Sequence, residues 1–179
     1  YERPHPPGFR WLHESFGTNW RMLEMQAVIG RIQLRKMADW TETRTRHANA
    51  IWSTARELPA LRVPRFPPAG QSLAAGDVHA HYKCYVYVRP ERLAPGWSRD
   101  RLIEAINAQG VPCYQGSCSE VYLEKAFDGT GWRPTERLPA ARELGETSLM
   151  FLVHPTLSES EIAKTCSAIR SVVTGATRP

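Results

Sequence analysis

The chain has 179 residues and a net charge of +5, and its composition, 42% hydrophobic and 23% charged, is that of an ordinary globular protein. This length is enough for one domain with a hydrophobic core, or for a part of a larger fold. No apolar run approaches the roughly 20 residues of a membrane-spanning helix, so we expect a soluble protein with no membrane partner. The densest basic stretch lies among acidic residues on a predicted helix, which is typical of a solvated face, and we expect no nucleic acid partner.

The first 18 residues are rich in proline and do not begin with methionine. They have neither an apolar signal core nor an amphipathic Arg/Ser pattern, so we interpret 1–18 as an irregular lead from a large domain that is missing here. The sequence then predicts a long connecting helix or helix pair over 19–60 and a small α+β domain over 61–175. We expect the tail over 176–179 to be frayed.

Apolar residues recur at helical spacing from about Trp20 to Leu58. The segment Thr41–Thr45 is poor in strong helix formers, and we predict a bend or a break there. The helix has more apolar surface than a small sheet can cover. We therefore expect it to pack against the missing part of the protein or against a second subunit.

Three strands are predicted downstream, over 81–88, 111–114 and 148–153. Helices are predicted over 99–109, over 139–144 and after the capping box that begins at Ser158. With only three strands the sheet should be small, mainly antiparallel and covered by helices on one side, which is an α+β fold. The glycine-spaced region 115–137 is the least regular part of the chain, and functional loops are often found in such regions.

A Gly-x-Asn-x-Arg loop, Gly17 to Arg21, leads directly into the long helix. The first N–H groups of a helix lack partners and carry the positive end of its dipole, so phosphate binds well there. An N-cap role for Asn19 and a solvated first-turn role for Arg21 explain the same pattern equally well.

The full stretch from Gly17 to Gly30, Gly-Thr-Asn-Trp-Arg-Met-Leu-Glu-Met-Gln-Ala-Val-Ile-Gly, resembles a segment of the DegT/DnrJ/StrS family. These are pyridoxal-phosphate-dependent aminotransferases that act on nucleotide-linked keto-sugars. The Gly-Val element at Gly110, the Leu-Pro-x-Ala element at Leu138 and the His-Pro pair at His154 resemble later segments of the same family. No single motif is diagnostic, and their order and spacing over residues 17–173 carry the resemblance.

The resemblance implies the C-terminal part of a fold-type-I aminotransferase, a homodimer with its active sites at the subunit boundary. Such an enzyme moves an amino group from an amino acid, typically glutamate, to a keto-sugar nucleotide in the biosynthesis of polysaccharide, cell-surface or secondary-metabolite sugars. By the same resemblance Asn19 contacts the pyridoxal 5'-phosphate of the neighbouring subunit, with Arg21 beside it. The family's Schiff-base lysine precedes this motif, so we expect no catalytic residue, no bound cofactor and no activity in this chain alone.

The chain departs from the common family pattern at Gly116-Ser-Cys-Ser-Glu120, where many members have a Tyr/Pro/His loop. This difference leaves the substrate class open. We interpret Tyr114, Ser117, Glu120 and Tyr122 as substrate-side residues that hydrogen-bond sugar hydroxyls or a nucleotide.

Other chemistry has little support in the sequence. The four cysteines lack the paired spacing of a metal site, and Cys84 and Cys166 fall at apolar positions, so we expect these two to be buried thiols and the location to be reducing and cytoplasmic. His79, His81 and His154 have no spaced carboxylate or cysteine partner, so we predict no metal site. Lys83 is a nucleophile candidate if it is desolvated, and the alternative is a strand lysine whose ammonium group reaches water.

Two alternative functions stay open. Some family members have a histidine in place of the lysine and dehydrate the sugar, and the fragment is also compatible with a noncatalytic dimerisation or regulatory module on a degenerate aminotransferase fold. The residue at the upstream anchor position would distinguish these alternatives.

Overall fold

The computed structural model describes residues 16–17, 21–65 and 78–178. In these ranges the four α-helices are α1 (Glu24–Arg56), α2 (Arg99–Ala108), α3 (Pro139–Thr147) and α4 (Glu159–Ala176). The four strands are β1 (Leu61–Arg62), β2 (Cys84–Val88), β3 (Cys113–Tyr114) and β4 (Ser148–Phe151). Single 3₁₀ turns span Pro90–Arg92, Val121–Leu123 and Lys125–Phe127.

The strands form one antiparallel sheet in the order β1-β2-β4-β3. The central pair places Cys84 opposite Phe151 and Tyr87 opposite Ser148. The predicted α+β class is therefore confirmed, and the three predicted strands are present at shorter lengths. The sequence missed β1, because two residues are too few to show an alternating pattern.

The hydrophobic core lies between one face of the sheet and α1, α2 and α4. Alternate residues of β2, Cys84, Val86 and Val88, are buried on this face, as expected for a strand with a period of two. Tyr85 and Tyr87 point to the other face and are half-buried. Helix α3 borders that second face, so the prediction of helices on only one side of the sheet is incomplete.

Helix α1 is continuous over its 33 residues, so a break at Thr41–Thr45 is wrong, and the alternative of a bend there stays a prediction. The Thr45 hydroxyl donates to the Thr41 carbonyl oxygen at 2.8 Å, so this polar segment satisfies its hydroxyl on the helix itself. Just beyond it, Ala48, Ile51 and Ala55 are completely buried. Tertiary packing of this half of the helix outweighs the weak local helix propensity.

The N-terminal half of α1 and the residues just before it form an apolar surface that no described residue covers, and we call it the α1 apolar face. Its large side chains are between 45% and 74% exposed, and they are Met22, Leu23, Met25, Val28, Ile29, Ile32, Leu34 and Met37. Apolar exposure of this extent is typical of an interaction site. Every described helix is too short or too polar to span a bilayer.

The helix signals at Ser98, Pro139 and Ser158 are confirmed, whereas the alternative N-cap role of Asn19 is wrong for α1, because this helix begins at Glu24 and Leu23 is its N-cap. Ser98 caps α2 by accepting from the Arg101 amide at 3.2 Å, and Pro139 is the first residue of α3. Ser158 and Glu161 form the predicted capping box of α4. Such signals are readable because each involves residues only a few positions apart.

The chain end after Gly175 makes hydrogen bonds up to Arg178, where the sequence predicted a frayed tail. The Ala94 amide donates to the Ala176 carbonyl oxygen at 2.8 Å, and the Arg178 amide donates to the Arg92 carbonyl oxygen at 2.9 Å. The Arg178 guanidinium also donates to the Leu93 carbonyl oxygen at 2.6 Å. These bonds connect the end of α4 to the turn at Pro90–Arg92.

Candidate functional site

A cleft of about 440 Å³ opens beside the N-terminal end of β2, and we call it the Lys83 cleft. Its walls come from α1, the residues after β1, the approach to β2 and the loop after β3. Aromatic and basic side chains dominate the described lining, which consists of Trp52, Pro64, Arg65, His79, Tyr82, Lys83, Tyr85, Tyr87 and Ser117. No carboxylate belongs to this set of residues.

Lys83, Tyr85 and Ser117 form a hydrogen-bonded cluster in the cleft. The Lys83 ammonium donates to Ser117 Oγ at 2.8 Å. The Ser117 amide donates to the Tyr85 hydroxyl at 3.1 Å, and that hydroxyl lies 3.5 Å from Ser117 Oγ. The cluster joins a strand to the loop after β3, which supplies the substrate-side candidate Ser117.

Gly116 allows this loop to approach β2. Its φ is +92°, and a Cβ at this position would collide with the Tyr85 ring. Only glycine meets both requirements without strain. The conformation of Gly116 therefore sets the position of Ser117 against Tyr85.

Glu120 and Tyr122 are engaged within the chain. The Glu120 side chain is buried, and its Oε1 accepts from Arg137 Nε at 2.8 Å while its Oε2 accepts from Arg137 Nη2 at 2.5 Å. The Tyr122 hydroxyl donates to the same Oε1 at 2.7 Å and accepts from the Leu138 amide at 2.9 Å. These contacts fix the loop between β3 and α3, while contact of either side chain with a substrate stays a prediction.

The electrostatics of this network follow from its hydrogen bonds. The hydrogen bond from Arg137 lowers the pKa of the Glu120 carboxyl, so Glu120 is held as a carboxylate. Burial, followed by the hydrogen bond to Glu120, raises the pKa of Tyr122. An ionised Glu120 and a neutral Tyr122 therefore coexist in the network across the neutral pH range.

Tyr114 lies on the edge strand β3 and is 47% exposed. Both Tyr114 and Tyr85 pair with Met150 in the sheet, and directly paired residues point to the same face. Tyr114 thus shares a face with Tyr85 but lies two strands away, roughly 10 Å at the backbone. Its substrate-side role stays a prediction.

Of the two predicted cofactor contacts, Asn19 lies outside the described residues. Arg21 is exposed and lies three residues before Glu24, the first residue of α1. The first amides of α1 have no partner within the helix by its geometry, so Arg21 and this helix start are chemically suited to a phosphate group. The role of both residues stays a prediction.

The four lysines of the chain differ in their contacts, and the absence of a covalent cofactor anchor among them stays a prediction. A Schiff-base lysine is activated by removal from water, but each of the four retains solvent exposure. Lys36 lies over the Trp40 ring at 5.6 Å, and Lys164 donates to the Gly110 carbonyl oxygen at 3.1 Å. Lys83, the nucleophile candidate, is half-buried, and its Nζ donates a hydrogen bond to Ser117 Oγ.

His79 and His81 lie next to each other on the approach to β2. His81 is 4% exposed, has a φ of +45°, and its Nδ1 lacks a partner among the described residues. Its ring is 4.3 Å from that of His79 and 5.1 Å from that of Trp52. Burial, and then the charge of His79, lower the pKa of His81. Over the described ranges, no three potential metal ligands converge here or elsewhere.

The four cysteines all lie in the described ranges, and none of them forms a disulfide bond. Cys84 and Cys113 are buried in the sheet, and burial raises the pKa of each to about 12. These two thiols therefore behave as small apolar core residues, which agrees with the expectation for Cys84.

Two residues of this region had no signal in the sequence. Arg65 follows a proline in a loop, and only the fold places it at the Lys83 cleft. Arg137 pairs with Glu120 across 17 positions of irregular chain, and no periodicity connects the two. Without knowledge of Arg137, the sequence therefore allowed the Glu120 carboxylate to be interpreted as a ligand contact.

The long helix followed by a small helix-covered antiparallel sheet is the fold of the corresponding part of fold-type-I aminotransferases. The chain belongs to the DegT/DnrJ/EryC1/StrS aminotransferase family, whose model matches residues 5–170.

Solved and curated relatives agree with this membership. An aminotransferase from Psychrobacter cryohalolentis is 57% identical and superimposes with a TM-score of 0.80, over 98% of this chain and 45% of that chain. DesV from S. venezuelae, solved in complex with a ketimine intermediate, is 26% identical with a TM-score of 0.68, over 92% of this chain and 40% of that chain. The dTDP-3-amino-3,4,6-trideoxy-alpha-D-glucose transaminase of Streptomyces venezuelae is 27% identical over 161 residues, which are 90% of this chain and 38% of that protein. The chain therefore spans less than half the length of these relatives.

Proposed function

We propose that the chain is the C-terminal part of a pyridoxal-phosphate-dependent aminotransferase. The full-length enzyme transfers an amino group from an amino acid, with glutamate as the expected donor, to a keto-sugar carried on a nucleotide. The family match over residues 5–170 carries this proposal, and 57% identity to an aminotransferase over 98% of the chain supports it. The name of the dTDP-sugar transaminase supports a nucleotide-sugar acceptor.

Pyridoxal 5'-phosphate supplies the electron sink for amino transfer when it is bound. In the proposal, Asn19 and Arg21 hold the phosphate group of the cofactor of a neighbouring subunit. The position of Arg21 just before the free amides of α1 supports this role. Because three of the four lysines are exposed and Lys83 is only half-buried, the covalent anchor is assigned to the preceding part of the protein, and we expect the chain alone to be inactive.

A homodimer is part of the same proposal. The α1 apolar face exposes eight large side chains, and their burial against a second subunit would remove the cost of hydrating them. The proposal also places the enzyme in the cytoplasm, because free thiols suit a reducing compartment.

The test uses the full-length protein with pyridoxal 5'-phosphate, glutamate and a dTDP- or UDP-linked keto-sugar. We expect one 2-oxoglutarate for each amino-sugar nucleotide formed, with mass spectrometry showing that the carbonyl oxygen has been replaced by an amino group. A sugar product that has lost water without gaining nitrogen would instead establish the dehydratase. A protein that shows no cofactor absorbance and no product would establish the noncatalytic module.

A further inference from the structure

We infer that the Lys83 cleft holds the phosphate groups of the substrate, with the Lys83 ammonium as the main contact and with Ser117 and Tyr85 as neutral hydrogen-bonding partners. The ligand class is a nucleoside diphosphate attached to a sugar. This inference rests on the proposed function, and it adds the residues that recognise the nucleotide part of the acceptor.

The first argument is charge. Lys83 and Arg65 bring two cations to a cleft whose described lining contains no carboxylate. Other basic residues near the same sheet face are paired with acids, such as Arg62 with Glu143 at 2.6 Å and Arg137 with Glu120. Lys83, by contrast, has no acidic partner within the described ranges. Its field therefore attracts an anion into the cleft.

The second argument is the number of available donors. An ammonium group has three N–H donors, and one of those of Lys83 points to Ser117 Oγ at 2.8 Å. Ser117 Oγ accepts that bond, which leaves its own proton for a ligand. The Tyr85 hydroxyl accepts from the Ser117 amide at 3.1 Å, and it donates its own proton toward Ser117 Oγ in a long contact of 3.5 Å. The remaining N–H donors of Lys83 and the Ser117 hydroxyl therefore lie next to each other, as binding of a phosphate group requires.

The third argument is the aromatic wall beside these donors. Tyr82 is 80% exposed, and the Lys83 ammonium lies 5.8 Å from the centre of its ring. Tyr87 also contributes to the lining. A solvated aromatic ring next to a phosphate contact suits stacking with a base or packing with a sugar ring. Inorganic phosphate alone would make no use of this wall.

The experiment measures binding to the full-length protein by isothermal titration calorimetry, with UDP, dTDP and GDP and with uridine, thymidine and guanosine as probes. In the Lys83→Met variant we expect the Kd of the preferred diphosphate to rise about tenfold or more, while the Kd of its nucleoside is unchanged. Lys83→Arg should keep the Kd of the diphosphate within about threefold of the wild type, because the charge remains. Ser117→Ala should weaken diphosphate binding by a smaller factor, about threefold.

Lys164→Met is the matched control. Lys164 also donates one hydrogen bond, to the Gly110 carbonyl oxygen, but it does not line the cleft. We expect its diphosphate affinity to equal that of the wild type. An unchanged diphosphate Kd in Lys83→Met, or an equal loss of nucleoside and diphosphate binding, would overturn the inference. If Lys83→Met does not fold, as judged by circular dichroism, Lys83→Arg and Ser117→Ala decide by the same comparison of diphosphate with nucleoside.

A second measurement separates this inference from the proposed function. Glutamate alone should convert the bound cofactor to its amine form, and the change in cofactor absorbance requires no sugar. If this reaction occurs while Lys83→Met keeps full diphosphate affinity, the phosphate site is wrong and the aminotransferase proposal stands. If glutamate has no effect while diphosphate binding depends on Lys83, the phosphate site stands and the aminotransferase proposal fails.

Discussion

Arg137 donates to both carboxylate oxygens of Glu120, a residue 17 positions earlier in the chain. The Glu120 side chain is 7% exposed and that of Arg137 is 41% exposed. The pair therefore combines a buried carboxylate with a guanidinium at the surface. It closes the irregular loop that follows β3, and the loop carries Ser117 into the Lys83 cleft.

Glu120→Gln should lower the free energy of unfolding by about 1–3 kcal/mol, because it removes the charge from a buried hydrogen-bonded pair. The lower part of this range is expected, since Arg137 can be hydrated after the change. Glu143→Gln is the control, because it breaks an exposed pair with Arg62 and should cost about 0.5 kcal/mol or less. Urea unfolding of the chain measures both. Equal effects would show that the Glu120 pair does not stabilise the loop.

Gly116→Ala should disturb the Lys83 cleft from a position outside its lining. The new Cβ would meet the Tyr85 ring, and φ is also unfavourable, so we expect a cost of about 2–4 kcal/mol. Gly129→Ala has a similar positive φ of +71° but open space around it. It should cost only about 1–2 kcal/mol. Thermal unfolding measures the loss of stability in both variants, and the difference between them gives the contribution of the Cβ contact with Tyr85. An equal loss in the two variants would contradict the close approach of Gly116 to Tyr85.

His81 should make stability depend on pH. Its folded-state pKa is lowered from 6.5 by burial and by His79, so the unfolded chain binds a proton more readily than the folded one. Above pH 6.5, His81 is neutral in both the folded and the unfolded chain, so it has no effect on stability. As the pH falls below 6.5, the unfolded chain takes up the proton first, and the free energy of unfolding decreases. His81→Asn removes the titration and tolerates the positive φ. Its unfolding free energy should fall less than that of the wild type between about pH 7 and about pH 5.

His154→Gln serves as the comparison for this pH dependence, because His154 is exposed. Urea unfolding at each pH measures the stability of both variants and of the wild type. A His81→Asn profile with the same slope as the wild type would show that His81 does not titrate differently in the two states.

Ile29→Asp should separate the subunits of the full-length protein. Ile29 is 56% exposed on the α1 apolar face, and a buried carboxylate there would lack any partner. Multi-angle light scattering should show a shift from dimer to monomer at micromolar concentration. Ala163→Asp adds the same charge to the exposed side of α4 and should leave the mass unchanged. If Ile29→Asp remains a dimer, the α1 apolar face packs against another part of the same subunit and not against the second subunit.

The parts of the fold that the sequence predicts well are those determined by neighbouring residues. The Ser98 cap, the first-turn Pro139 and the Ser158 capping box each depend on a few adjacent positions. The break at Thr41–Thr45 was predicted from local propensity, but burial of the following turns of α1 determines the outcome.

The site could be predicted only in part, because its contacts are nonlocal. Lys83 and Ser117 each stood out in the sequence for separate reasons. Their contact spans 34 positions and depends on the turn at Gly116. The engagement of Glu120 depends on Arg137, and no pattern in an irregular loop identifies such a partner. Residue chemistry was thus readable from the sequence, whereas the pairing of residues required the fold.

The two outer strands, β1 and β3, have only two residues each. Edges this short present few unpaired backbone groups, and a second sheet gains little by adding to them. Growth of this domain by strand addition is therefore disfavoured, and with it one common route to aggregation. Association between two copies of the chain must therefore depend mainly on side-chain contacts. Such contacts are specific to this sequence, whereas backbone hydrogen bonding is common to all proteins.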